Sequence, residues 1–250
     1  MKYSLIIPVY NEAPVIGKTL GDLSLAFTEL AGASDWEIIV VDNGSQDDTA
    51  RIARAERDPH IRIIEEIKKG KGHAIRIGMR AASGEYCGFT DVDLSIAPYE
   101  IVHAFHAAAE GKHSILIGSR FHPESVMPGR EWWRTLSSTL YNQYARLMLG
   151  LSYQDTQCPL KIVDREGHAL ILLTTEETWF FDLEFLALAE RAAQPVIEVP
   201  VNWREHHYPG RRSKLSTTRD GMRYLFALPR IKKRLPEQLS LWESANNNRV

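Results

Sequence analysis

The chain has 250 residues, of which 44% are hydrophobic and 25% are charged, with 16 glycines and 12 prolines. This composition is typical of a globular protein with one large domain or at most two small ones, and it excludes collagenous, fibrous and disordered chains. The formal net charge of -2 argues against a general nucleic-acid-binding protein, and two cysteines are too few for a disulfide framework, which favours a reducing compartment.

The first 120 residues alternate short β-branched runs with longer helical patterns, which predicts βαβ units and a parallel sheet. Strands are predicted at 4–9, 37–41, 61–64, 86–90 and 114–117, and helices at 13–31, 47–57, 72–82 and 99–110. Right-handed crossovers would build a doubly wound sheet whose ligand crevice lies at the carboxyl ends of the strands. Functional residues are therefore expected where strands end.

The pattern changes after residue 120. A segment with proline and glycine at 121–130 precedes a predicted helix at 131–149, a strand at 158–163, a helix at 182–192 and a strand at 196–203. Because no Ser/Gly-rich linker or repeat interrupts this region, we predict one domain over 1–220 and a basic amphipathic tail over 221–250. From residue 201 onward there are eleven Lys or Arg against four Asp or Glu, which indicates an anionic partner or a solvated basic surface.

Acidic residues follow two of the predicted strands. Asp91 and Asp93 come directly after the strand at 86–90, and residues two apart in an extended chain point the same way. Two converging carboxylates are suited to a hard divalent cation, Mg²⁺ or Mn²⁺, which in turn binds phosphate oxygens. Asp42 follows the strand at 37–41, where an acid commonly binds a ribose or a base, although a turn with a helix cap explains it equally well.

A basic, glycine-containing segment precedes the third predicted helix. Residues 68–73 read Lys-Lys-Gly-Lys-Gly-His, and a helix N-terminus with nearby cations favours anions. The segment is not a P-loop, because no Gly-Lys-Ser/Thr closes it.

Taken together, residues 7–12, 41–45 with Asp48 and Thr49, 70–72, 91–93 and 118–120 resemble the family-2 glycosyltransferases of GT-A fold. Residues 155–158, 179–184 and 201–205 through Ser213 and Lys214 resemble the polyprenyl-phosphate branch, in particular the dolichyl-phosphate glucosyltransferases, with dolichyl-phosphate mannose synthases as cousins. The resemblance implies an α/β fold, a Rossmann-like three-layer sandwich with a mostly parallel sheet. It assigns 1–120 to nucleotide-sugar binding and 121–220 to the acceptor, with an amphipathic helical elaboration at the C-terminus.

The resemblance also implies the residues of the site. The nucleotide would be bound by Pro8, Tyr10, Glu12, Asp42, Lys71, Asp91 and Val92, the metal by Asp91 and Asp93, and the acceptor phosphate by Arg134, Arg204 and Lys214. Arg120 would also contact an anionic phosphate and would be catalytic together with Asp93 and Asp155. Two positions depart from the family pattern. Ser95 stands where the mannose synthases place a metal-binding glutamine, and Arg211 and Arg212 lengthen a Gly-Ser-Lys turn.

The implied reaction is displacement of a nucleoside diphosphate from the anomeric carbon by an acceptor oxygen, with inversion. UDP-glucose is the preferred donor, with GDP-mannose and N-acetylglucosamine donors open, and a polyprenyl phosphate is the acceptor. Asp155 is the candidate base or acceptor-orienting residue, with Asp182 and Glu184 as competitors. The alternatives are a glycosyltransferase acting on a soluble or glycan hydroxyl and an inactive nucleotide-sugar-binding protein, which the intact Asp91 and Asp93 disfavour.

A lipid acceptor requires contact with a membrane. No segment approaches the roughly 18 unbroken apolar residues of a membrane span, and the apolar run at the N-terminus is too short for a signal peptide. Two amphipathic stretches could lie on a bilayer surface: one with Trp132, Trp133, Leu136, Leu140, Tyr144, Leu147 and Met148, the other with Met222, Tyr224, Leu225, Phe226, Leu228 and Ile231. We predict a cytoplasmic protein bound peripherally to the cytoplasmic face of a membrane, and the alternative is that both helices pack on the domain.

Overall fold

The structure, a computed structural model, describes residues 1–31, 35–129, 132–204 and 217–247. The strands in these ranges are β1 (Tyr3–Val9), β2 (Trp36–Asp42), β3 (Ile61–Glu65), β4 (Tyr86–Phe89), β5 (Ile115–Ser119), β6 (Lys161–Val163) and β7 (Val196–Pro200). The helices are α1 (Ile16–Ala31), α2 (Thr49–Ala55), α3 (Lys71–Ala81), α4 (Pro98–Glu110), α5 (Trp132–Leu149), α6 (Arg165–Leu173), α7 (Phe181–Arg191) and α8 (Thr217–Asn247).

The strands form one mixed sheet in the order β3-β2-β1-β4-β6-β5-β7. Only β6 runs antiparallel to its two neighbours, and the other pairings between described strands are parallel. The central pair is in register from Tyr3 opposite Trp36 to Val9 opposite Asp42. Both strands are apolar almost throughout because helices cover both faces of the sheet, which is the usual condition of parallel strands.

Each face of the sheet carries its own core. Alternate residues of β1 enter opposite cores, with Ile6 on one side and Leu5 and Ile7 on the other. Helices α1, α2 and α4 cover the second face, while α3 and α5 to α8 cover the first. The predicted α/β fold with three layers and a mostly parallel sheet is therefore confirmed.

Every predicted strand and helix is present, with its ends within three residues of the predicted ones. The helix α6 was not predicted. A start signal for it stands in the sequence, because Asp164 accepts hydrogen bonds from the backbone N–H groups of Glu166 (2.8 Å) and Gly167 (3.0 Å) as an N-cap.

The C-terminal tail forms α8, which packs on the domain. Its residues Tyr224, Leu228 and Ile231 are buried in the core that also contains α5, α6 and α7. For these three side chains the structure therefore favours the alternative of packing on the domain over contact with a bilayer. Phe226 remains 69% exposed. Within the described ranges, no helix combines the length and the hydropathy required to span a bilayer.

Candidate active site

A cavity of about 250 Å³ opens at the carboxyl ends of β1, β2 and β4. It is lined by Pro8, Val9, Tyr10, Glu12, Asn43, Lys69, Gly70, Lys71, Asp91, Val92 and Trp179. All residues assigned to the nucleotide by resemblance are among them except Asp42. The cavity thus gathers five short segments that are far apart in the sequence, three of which follow β1, β2 and β4, whose carboxyl ends meet at one edge of the sheet.

Lys71 and Asp91 form an ion pair in the cavity wall, with 2.7 Å between Nζ and Oδ1. The Lys71 side chain is mostly buried, and its ammonium lies 5.2 Å from the ring centre of Trp179. Burial opposes the charge on Lys71, but the carboxylates of Asp91, Asp182 and Asp93 outweigh it and raise the pKa of Lys71. The lysine is therefore a permanent cation that can neutralise a phosphate.

The turns after β1 and β2 are bonded to each other. The backbone N–H of Asn11 donates to Ser45 Oγ (2.9 Å), Asn11 Oδ1 accepts from the N–H of Gln46 (2.7 Å), and the N–H of Glu12 donates to Thr49 Oγ1 (2.7 Å). Asn11 adopts a φ of 51°, in the left-handed region that asparagine tolerates. These bonds fix the cavity wall that carries Tyr10 and Glu12.

Asp42 does not reach the cavity wall. Its side chain is buried, and Oδ1 accepts a hydrogen bond from the N–H of Ser45 at 3.1 Å, which is the turn-stabilising role. The next residue, Asn43, does line the cavity. Its amide oxygen is buried and accepts no hydrogen bond from the described residues. Sequence reasoning treated Asn43 only as a turn residue, although its place directly after a strand pointed to the crevice.

The residues from Asp91 to Ser95 form a rigid turn. The carbonyl of Val92 accepts a hydrogen bond from Thr19 Oγ1 of α1 at 2.7 Å, and Leu94 is buried with a φ of 47°. A left-handed leucine is strained, and such strain is typical of functional sites. Ser95 Oγ donates to Asp93 Oδ1 at 3.1 Å, so the serine at the glutamine position orients a metal-ligand candidate.

The pair Asp91 and Asp93 fits a divalent cation. Asp91 and Asp93 stand two residues apart in one turn, Asp91 lies in the cavity wall, and carboxylate oxygens are the ligands that Mg²⁺ and Mn²⁺ prefer. Among the residues that the structure describes, no group of three or more His, Cys, Asp and Glu side chains could hold a metal ion. Two protein carboxylates leave coordination positions for diphosphate oxygens and water.

Arg120, which directly follows β5, forms a bidentate ion pair with Asp155. Arg120 Nε and Nη2 donate to the Asp155 carboxylate at 2.7 and 2.9 Å, and the Arg120 N–H donates to it at 2.9 Å. The N–H groups of Gln157 (3.1 Å) and Cys158 (3.0 Å) complete its partners. Burial opposes the charge on Asp155, but Arg120 and the backbone donors outweigh it and lower the pKa of Asp155 to about 2.

This geometry favours the orienting role of Asp155 over that of a catalytic base. The carboxylate has no exposed surface, its oxygens already accept five hydrogen bonds, and its low pKa makes it a weak proton acceptor. It fits the orienting role instead, since it fixes Arg120. The two competitors are also engaged: Asp182 pairs with the fully buried Lys161 at 2.8 Å, and Glu184 accepts backbone N–H bonds from Thr175 and Glu176.

Arg120 also stacks on Trp203, with 5.0 Å from its guanidinium carbon to the ring centre. Arg204 is exposed, and its backbone N–H donates to the carbonyl of Ser95 at 2.9 Å, which brings the segment after β7 to the Asp93 turn. Ser119 Oγ and Trp203 Nε1 are buried without a hydrogen-bond partner in the described part of the chain. Arg120, Trp203 and the backbone of Arg204 are therefore linked to the turn that contains Asp93 and Ser95. Lys214 and the side chain of Arg134, assigned to the same phosphate, lie outside the described residues.

Several curated proteins are similar to this chain. The dolichyl-phosphate beta-glucosyltransferase of Drosophila melanogaster is 34% identical over 221 residues, which cover 82% of this chain and 68% of that protein. The protein of the same name from Dictyostelium discoideum is 30% identical over 217 residues, covering 81% and 66%. Glycosyltransferase AglD of Haloferax volcanii is 31% identical over 207 residues, covering 81% and 33%. The chain thus spans between one third and about two thirds of the length of these relatives.

Solved structures share the fold. Glucosyl-3-phosphoglycerate synthase from Mycobacterium tuberculosis, in complex with Mn²⁺, UDP-glucose and phosphoglyceric acid, has a TM-score of 0.67 at 20% identity, covering 91% of this chain and 79% of that one. This likeness confirms the predicted GT-A fold. Since the model of glycosyl transferase family 2 matches residues 4–171, more than half of the chain, the chain belongs to that family.

Proposed function

We propose that this protein transfers glucose from UDP-glucose to a polyprenyl phosphate, with inversion and with a divalent metal ion. The relatives named dolichyl-phosphate beta-glucosyltransferase support this sugar and this acceptor class, at 30% and 34% identity. The observation that carries the proposal is the position of the Asp91–Asp93 turn. On one side it lines the cavity with Lys71, and on the other it is bonded to the segment that carries Arg204.

The two sides of the turn would bind the two substrates. The nucleotide sugar would occupy the cavity, with the base near Asn43 and the diphosphate near Lys71 and Asp91. The acceptor phosphate would lie at Arg120, whose guanidinium is oriented by Asp155 and stays charged at every physiological pH. The anomeric carbon would then lie between the cavity and Arg120, which is the arrangement that an in-line displacement requires.

Charge neutralisation is the main catalytic task in this site. Lys71 and Arg120 would offset the charge that grows on the leaving diphosphate and the charge that the acceptor brings. A metal ion held by Asp91 and Asp93 would supply Lewis-acid stabilisation to the same diphosphate. A phosphate monoester with a second pKa of about 6 is already largely ionised at neutral pH, so the reaction does not depend on a strong base, which agrees with the engaged state of Asp155, Asp182 and Glu184.

The test is a transfer assay with purified protein, a polyprenyl phosphate, Mg²⁺ or Mn²⁺, and a panel of labelled UDP-glucose, GDP-mannose and UDP-N-acetylglucosamine. We expect label in the organic-extractable product with UDP-glucose, and none without metal. Transfer from another donor would revise the sugar. Nucleotide-sugar binding with no lipid product from any donor would overturn the acceptor and favour a soluble or glycan hydroxyl.

We further propose that α5 rests on a membrane surface, because a lipid acceptor must be reached there. Along this helix Trp132, Leu136, Leu140 and Leu147 are 77%, 52%, 57% and 83% exposed. Aromatic and aliphatic side chains at this spacing on an exposed helix are typical of interfacial contacts. Phe226 of α8, a helix that packs on α5, is also exposed.

This proposal predicts that Trp132→Ser combined with Leu136→Ser weakens binding to vesicles that contain anionic lipid. Losing two interfacial side chains should lower the partition coefficient by roughly tenfold or more in a sedimentation assay. Leu25→Ser on α1 is the control, since Leu25 is 53% exposed but belongs to another helix. Equal sedimentation of the double variant and the wild type would contradict a membrane role for α5.

A further inference from the structure

The loop between α6 and α7, residues 174–180, forms a wall of the cavity and fixes the backbone at Lys71. The N–H of Gly72 donates to the carbonyl of Glu177 at 2.9 Å, and the N–H of His73 approaches the same oxygen at 3.4 Å. Glycine is required at position 70 for this close approach of the two segments, because a Cβ at Gly70 would lie 2.4 Å from the carbonyl oxygen of Glu177. Trp179 of the same loop lines the cavity and lies against Lys71.

The first residues of this loop bond to the buried carboxylate of Glu184, and Glu176 of the loop is itself buried. Glu184, with no exposed surface, accepts hydrogen bonds from the N–H groups of Thr175 (2.7 Å) and Glu176 (2.6 Å). The side chain of Glu176 is also buried, at 5% exposure. Two buried carboxylates at adjoining positions need cations, because an unpaired buried charge is strongly unfavourable.

Helix α8 supplies one cation that pairs with both carboxylates, while the buried Arg76 of α3 donates to the carbonyl of Glu176 at 2.7 Å. Arg234 Nη2 donates to Glu176 Oε2 at 3.0 Å and lies 3.3 Å from Glu184 Oε1. One turn later, Gln238 Nε2 donates to Glu184 Oε1 at 3.1 Å and to the carbonyl of Leu173 at 2.9 Å. Among the described residues, Arg234 is the one cation within ion-pair distance of both carboxylates.

We propose that α8 is a positioning element of the nucleotide site, in which Arg234 acts through Glu176 on the loop 174–180 and thereby on Lys71 and Trp179. Arg234 touches no substrate, and its role is to keep the Glu177 carbonyl where it accepts the N–H groups of residues 72 and 73. The effect on nucleotide binding rests on the proposed function, whereas the effect on the backbone does not.

The primary test is hydrogen exchange of the amides of Gly72 and His73 in Arg234→Met. Loss of the guanidinium should release the loop and speed exchange at both amides by roughly tenfold, while the strand β1 stays protected. Lys233→Met is the matched control, because it removes an exposed cation from the same helix. Arg234→Lys should restore part of the protection, since it keeps the charge and loses the fork.

A second readout is the dissociation constant of UDP with Mg²⁺, measured by calorimetry. We expect a rise of roughly tenfold in Arg234→Met, with the KM of the acceptor unchanged. Glu176→Gln breaks the same contact from the other end, so it should give the same exchange pattern, and the double variant should add nothing further. If Arg234→Met fails to fold, Glu176→Gln alone tests whether this contact controls hydrogen exchange at Gly72 and His73.

The proposal is overturned if Gly72 and His73 exchange at the wild-type rate in folded Arg234→Met or in Glu176→Gln. It is equally overturned if Lys233→Met speeds exchange as much as Arg234→Met does. Failure of the wild type to transfer sugar would reject the proposed function and leave the exchange result standing. The two failures are therefore distinguishable.

Discussion

Replacing Asp93 by alanine should lower kcat for sugar transfer by roughly a thousandfold or more, because the loss of several kcal/mol of charge stabilisation on the leaving diphosphate corresponds to that factor. Asp93 Oδ1 accepts a hydrogen bond from Ser95 Oγ at 3.1 Å, in a turn with a strained Leu94, and this contact orients its carboxylate. With Asp91 alone, the cation would have a single protein ligand. The rate should be measured with UDP-glucose over a range of Mn²⁺ concentrations, with Mn²⁺ binding followed by calorimetry.

The matched control for this prediction is Asp22→Ala. Asp22 is an aspartate of α1 whose carboxylate pairs with Lys18 at 2.6 Å on the surface, and such exposed pairs contribute little. It should leave both transfer and Mn²⁺ binding at the wild-type level. Asp93→Ala with more than a tenth of the wild-type rate, or with unchanged Mn²⁺ affinity, would remove Asp93 from the metal site.

The sequence predicts the position of a functional residue best where that residue directly follows a strand or begins a helix. Asp91 and Asp93 follow a buried strand, and Lys71 begins a helix, so the crevice rule locates them without knowledge of contacts. The strands themselves were predictable because buried parallel strands are mostly apolar runs rich in Ile and Val, as in β1 and β2. The helix α6 was missed because its nine residues include a glycine and give a short pattern.

The pairings between distant segments could not be predicted. Arg120 and Asp155 are 35 positions apart, and Arg234 and Glu176 are 58 apart. Neither pair has a local spacing rule such as the i,i+4 contact of a helix, so only the folded backbone brings them together. The role of α8 was hidden for the same reason, since its apolar face reads equally well as a surface for lipid or for protein.

At Asp155 the structure favours one of the two roles that the sequence left open. The resemblance implies that Asp155 is either a catalytic base or an acceptor-orienting residue. The structure supplies what the pattern lacked, namely the burial of the carboxylate and the identity of its partners. Asp155 accepts hydrogen bonds from Nε and Nη2 of Arg120, and these contacts support a role for Asp155 in orienting Arg120.

Asp155→Asn should lower the free energy of unfolding at pH 7 by about 3 kcal/mol, because it leaves the guanidinium of Arg120 largely buried without its counter-ion. It should also lower kcat/KM for the acceptor, since an unpaired Arg120 loses its fixed orientation toward the phosphate. Chemical denaturation gives the first quantity and the transfer assay the second. Asp164→Asn is the control, because asparagine replaces aspartate at an N-cap with little loss.

The pH dependence separates the ion pair from a proton-transfer role. The pKa of Asp155 lies at about 2 in the folded protein, below its ordinary value of 3.8. A carboxyl with a lowered pKa stabilises the fold above its unfolded pKa, and this contribution is lost as the pH falls from near 4 toward 2. The difference in unfolding free energy between the wild type and Asp155→Asn should therefore narrow across that window.

In the pH profile of kcat/KM for the acceptor, Asp155→Asn should lower kcat/KM by the same factor at every pH and leave any acidic limb near neutral pH in place. Loss of such a limb in the variant would return Asp155 to the role of base.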